Sequence, residues 1–88
     1  MNRPLHLLPG IGPKTAQWLK EVGIETETEL RAIGAVDAYC RLKHRNPRLV
    51  SRNALWGLHA ALIGISWKDI DASTKAHLLA QVEKRDLS

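Results

Sequence analysis

The residues best equipped for chemistry lie in Leu8-Pro9-Gly10-Ile11-Gly12-Pro13-Lys14-Thr15-Ala16, where two glycines flank an isoleucine and a proline follows. Glycine reaches positive φ and lets a second backbone, or a phosphate, approach where a Cβ would stand. Pro13 has its φ preset for a first helical position, where the N–H it lacks would be unpaired anyway. The free N–H groups of such a turn lie at the positive end of a helix dipole. With the Lys14 ammonium and the Thr15 hydroxyl beside them, they form a seat for an anion. Ile11 is the apolar pin that tucks the turn against a core. A tight turn used only for packing needs the same residues, so spacing alone does not set a phosphate there.

A second set of groups is ionic. The chain carries 13 Lys and Arg against 9 Asp and Glu, a net charge of +4. Arg41, Lys43, Arg45, Arg48 and Arg52 fall in one stretch, 41–52, that holds no acid. Such a run steers a polyanion to whatever face its members share. A solvated loop and helix end explains it equally, because cations also favour a helix C-terminus. Residues 24–40 lean the other way, with Glu25, Glu27, Glu29 and Asp37 against Arg31. Most of that acidity reads as helix-starting chemistry, not as a catalytic carboxylate cluster.

Other reactive side chains are present without a frame. Cys40 and His44 share one helical face, but His59 and His77 lie on separate helices and no C-x-x-C or H-E-x-x-H spacing joins them. One two-ligand half-site is too few for structural zinc. Ser51, Ser66 and Ser73 stand outside any G-x-S-x-G frame. The expectation is a non-enzyme with no catalytic residue, no metal and no cofactor. Trp18 and Trp56, at helical spacing beside leucines, read as core. Trp67 lies in a short connection with a buried or half-buried indole. Stacking on single-stranded bases is the other use of a tryptophan.

Helices must position these groups. The spacing predicts a short helix over Arg3–Leu8, then one over Pro13–Val22 with Ala16, Leu19 and Val22 inward and Gly23 as a left-handed cap. Thr26 and Glu29 form a capping box for a helix ending at Gly34. Another runs from Ala35 to about His44 on Val36, Tyr39 and Leu42, until Asn46-Pro47 breaks it. Ser51–Ile63 is apolar nearly all round, with Ala54, Leu55, Leu58, Ala61 and Leu62 on one side and Trp56 and Ile63 extending it, so it should be buried on most faces. Asp71 is the N-cap expected for a last helix to about Lys84, with a stripe of Ala76, Leu79 and Val82 and Leu78 beside it. The tail from Arg85 should fray. A faint repeat maps Leu8, Ile11, Gly12 and Ala16 onto Leu30, Ile33, Gly34 and Ala38. The second copy puts Asp37 where Thr15 stands, which would repel a phosphate.

Eighty-eight residues, 44% of them hydrophobic and none of them Phe, suit one all-α domain with a modest aliphatic core. A lone Cys40 is compatible with a reducing compartment. Neither an apolar run of about 18 residues nor a signal peptide is read. The expected location is the cytoplasm, with no membrane partner.

The run Leu8–Ala16, with Trp18, Leu19, Val22 and Gly23-Ile24, resembles a helix-hairpin-helix element spanning about 4–24. That resemblance implies hairpin amides on phosphate oxygens of DNA, without base reading, at Gly10, Ile11 and Gly12, assisted by Lys14 and Thr15. Along nearly the whole chain the order of parts resembles the C-terminal domain of TfoX, also called Sxy, a regulator of DNA uptake competence. Leu8–Ala16, Trp18-Leu19, Val22-Gly23-Ile24, Leu30–Val36, Ala38-Tyr39, Asn53–Leu58, Ala61-Leu62 and Trp67 carry the likeness. It implies a compact five- or six-helix, helix-hairpin-helix-like (SAM-like) domain without known catalysis. Two-domain members act with a cyclic-AMP-responsive activator at competence promoters. Complete members carry an additional N-terminal domain, so this chain is expected to be a stand-alone version or a piece of a longer protein. Two functions follow. One is weak DNA binding through phosphates, with Arg41, Lys43, Arg45, Arg48 and Arg52 adding long-range attraction. The other is docking on a transcription factor or polymerase subunit through Trp67, Ile63 and basic residues.

Overall fold

The structure, a computed structural model, describes Leu5, Leu8 and residues 10–86. Its order is α1 (Pro13–Glu21), α2 (Glu27–Ile33), α3 (Ala35–Arg45), α4 (Arg52–Ile63), a 3-10 turn at Trp67–Asp69, and α5 (Ala72–Asp86). The fold is all-α, with no strand among the described residues. Most of the helix expected over Arg3–Leu8 lies outside the described residues. Leu5 and Leu8 are buried, and the Leu8 N–H donates to the Leu5 carbonyl at 3.0 Å.

Local chemistry sets the boundaries. Pro13 opens α1 behind Gly12. Gly23 closes it at φ +86°, with Gly23 N–H on Lys20 O and Ile24 N–H on Leu19 O, the paired bonds of a Schellman cap. Leu19 and Ile24 are both fully buried, which fixes the direction of the exit. Thr26 caps α2 through the Glu29 N–H at 3.2 Å, and the Glu29 carboxylate accepts from the Thr26 hydroxyl at 3.2 Å. Gly34, at φ +89°, ends α2 and starts α3 in a single residue. Gly64 ends α4 in the left-handed region. Asp71 caps α5 by accepting from Thr74 N–H at 2.7 Å.

α3 is the hub, touching each of the other four α-helices. Its Ala35, Ala38, Tyr39 and Leu42 are buried. α4 buries Leu55, Trp56, Gly57, Leu58, Ala60 and Ala61, residues from every side of the helix, as its all-round apolar sequence requires. Ion pairs tie the ends. Arg31 of α2 pairs with Glu27 and donates to Leu62 O at the end of α4, and Arg85 of α5 pairs with Asp37 of α3.

Two expectations are corrected. Ala76 is exposed on α5, where Leu78 is buried and Leu79 and Val82 are partly buried. α5 continues through Arg85 to Asp86, helped by the pair with Asp37. Ile63 is 52% exposed and Trp67 47% exposed, so the indole is half-buried and Ile63 faces solvent. The two halves of the repeat share a glycine N-cap one residue before a helix, with Ala16 N–H on Gly12 O and Ala38 N–H on Gly34 O, both at 3.0 Å. Their backbones differ: Gly12 has φ −80°, and Gly34 has φ +89°.

Candidate nucleic-acid interface

The turn before α1 is closed by Ile11 N–H donating to Leu8 O at 3.1 Å. Gly10, its third residue, has φ +92°, the sign a type II turn needs at that position. Gly10 is also held by a neighbour. A Cβ on it would stand 2.9 Å from Gly57 O, and a Cβ on Gly57 would stand 2.4 Å from Gly10 O. The turn therefore rests backbone against backbone on the middle of α4. Ile11, 3% exposed, pins it to the core.

Gly12 differs from both. Its φ of −80° and ψ of 172° are open to any residue. A Cβ there would meet nothing within 4 Å. No side chain caps α1 and no acid stands in its first turn. Among the described residues, the N–H groups of Gly12, Lys14 and Thr15 have no partner within the chain. Lys14 is exposed, its ammonium 5.6 Å from the centroid of the Trp18 ring. Thr15 is half-buried beside it. The positive end of α1 thus faces solvent, uncapped, with the exposed Lys14 beside it. Ile11, whose amide is committed to Leu8, sets the shape of the turn and has no free N–H to offer an anion.

Two members of the basic stretch are engaged elsewhere. The Lys43 ammonium donates to Pro47 O at 2.8 Å and Val50 O at 2.6 Å, stapling the loop between α3 and α4. Arg45 Nε donates to Glu21 Oε1 at 3.1 Å. Glu21 is the last residue of α1, about 12 Å along the helix from the glycine turn. Arg41 lines a shallow depression with Asp37, Cys40, His44 and Arg85. Arg48 lies in the stapled loop and Arg52 opens α4, both exposed. Of the ten residues singled out from the sequence, Gly10, Ile11, Gly12, Lys14 and Thr15 are contiguous. Lys43 and Arg45 are engaged in holding the fold.

Sequence reasoning missed two residues beside the turn, Gly57 and Lys68, and did not connect Trp67 with it. Gly57 is the partner that Gly10 requires, and its signal was a lone glycine inside an apolar helix. Trp67 and Lys68 line one depression with Gly10, Ala60 and Gly64. Nothing local in the sequence links position 10 to position 68. Among the described residues no group of three or more His, Cys, Asp or Glu is placed to hold a metal. No helix among those residues is long and apolar enough to cross a membrane.

A small helical domain with an uncapped, glycine-fronted helix start is the class that fold and site define. Residues 1–82 match the TfoX C-terminal domain, and the chain belongs to that family. It is similar to an uncharacterised protein from Listeria monocytogenes in a triclinic crystal, at 28% identity and TM-score 0.84, over 96% of this chain and 94% of that one. A protein of unknown function from the same organism, in a tetragonal crystal, gives 33% identity and TM-score 0.80 over 86% and 93%. No curated protein matches.

Proposed function

We propose that this chain is a non-catalytic domain that holds DNA weakly by its phosphates, without reading bases, in the regulation of competence or transcription. Gly10 and Ile11 build the turn, and the N–H groups of Gly12, Lys14 and Thr15 face the phosphate with the Lys14 ammonium beside them. One observation carries the reading. Neither backbone conformation nor packing requires a glycine at position 12, and its missing side chain leaves the positive end of α1 open to a large anion.

The test is a fluorescence anisotropy titration with a short labelled duplex at two salt concentrations. Binding should weaken steeply with salt, as phosphate contacts do. Gly12→Asp is the decisive variant. Aspartate is at least as good an N-cap as glycine, so the melting temperature should hold or rise slightly, while its carboxylate takes the place of the phosphate and binding is lost. Unchanged affinity in Gly12→Asp, or affinity indifferent to salt, counts against the reading. Exposed Ile63 and Leu49, at 52% and 62%, favour a second one, docking on a transcription regulator or polymerase. Under it, Lys14→Glu leaves partner capture intact and Ile63→Asp abolishes it.

A further inference from the structure

The depression beside the glycine turn adds what the phosphate seat lacks, a surface for a base. Trp67 is 47% exposed, yet the segment that carries it is held in place. Ser66 Oγ accepts from Lys68 N–H at 3.3 Å, Ile70 N–H donates to Trp67 O at 3.4 Å, and Ile70 is buried. The backbone that carries the indole is thus anchored, and the fold leaves about half of the side chain in water. An exposed indole forfeits the burial that stabilises Trp56. Lys68 holds its ammonium 5.9 Å from the Trp67 ring centroid, so aromatic surface and cation come together. Gly10, which lines the same depression, is two residues from Gly12, at most about 7 Å of chain.

From this juxtaposition we infer that the preferred ligand is single-stranded nucleic acid, with an unpaired base stacked on Trp67 and adjacent phosphates met by Lys68 and by the turn at Gly12–Thr15. The inference rests on the phosphate-binding reading above and names its substrate class. A paired base inside a duplex has both faces covered by its neighbours, so only an unpaired base can lie on the indole. Stacking is indifferent to base identity, because every base has a π-face. Ala60, Ala61 and Gly64, which line the same depression, are small.

The experiment compares three labelled probes by anisotropy: an oligothymidylate of about a dozen nucleotides, a duplex of equal length, and an abasic strand of equal length. The thymidylate should bind about tenfold or more tightly than the abasic strand, and Trp67→Ala should erase that difference. Trp67→Phe should restore most of it. Because Trp67 is exposed, melting curves of both variants should overlay the parent. Equal binding of thymidylate and abasic strand, unmoved by Trp67→Ala, overturns the stacking and leaves the phosphate seat standing. Absence of binding to all three probes at low salt overturns both readings, and the exposed indole then belongs to a protein partner.

Discussion

Three glycines show how one residue type takes different roles within a single site. Gly10 is required twice, by its φ of +92° and by the Gly57 carbonyl where its Cβ would stand. Gly57 is required once, by the Gly10 carbonyl 2.4 Å from its would-be Cβ. Both neighbours are backbone, which yields less than the end of a side chain. Gly57→Ala should therefore cost about 1–3 kcal/mol, although alanine is the better helix former. Gly10→Ala should cost at least as much, because left-handed strain is added. A urea titration of each variant measures this, and stability equal to the parent would mean that turn and helix do not touch as described. The sequence marked Gly10 and Gly12 as a pair with one purpose. It could not separate them, because what distinguishes them is the distance from Gly10 to a helix more than forty residues away.

At the scale of elements the sequence was most legible where the chemistry is local. Thr26, Gly23, Gly34, Gly64 and Asp71 act within a few residues of themselves, and each marks the helix end read from it. Asp71 also makes one end sensitive to acid. Thr74, through its hydroxyl first and its backbone N–H second, holds the Asp71 carboxyl below its ordinary 3.8. A carboxyl depressed on folding contributes stability that is fully present above its unfolded pKa and lost as pH falls through the folded one. The protection factor of the Thr74 amide should fall on acidification through that range. In Asp71→Asn, which caps without titrating, it should show no such step. Lys43 was illegible for the opposite reason. From the sequence it is one of five cations, and only the folded loop brings the Pro47 and Val50 carbonyls to its ammonium. Lys43→Met keeps the apolar stem and removes those bonds. It should cost about 1–3 kcal/mol and speed exchange at the Leu49 and Val50 amides, while leaving DNA retention unchanged. Loss of DNA binding without loss of stability would return Lys43 to the interface.

Over the whole molecule the distribution of charge matters more than its sum. Lys14, Arg41, Lys43, Arg45, Arg48 and Arg52 on one face would make duplex binding fall with salt at a log–log slope of about −5, near −0.9 for each phosphate neutralised. The fold engages part of that set elsewhere. Lys43 is bonded within its loop, Arg45 is paired with Glu21 at the far end of α1, and Arg41 lies toward Arg85. Lys14 remains at the turn, and Lys68 enters beside it. A duplex titration should therefore show a slope nearer −2. Lys14→Glu should flatten it, and Arg41→Glu should alter affinity only through the weak, screened field of a distant charge. A slope near −5 that Arg41→Glu reduces would require the strand to run from the turn across α3. The interface would then be the basic stretch, with the glycines serving only to seat α1 on α4.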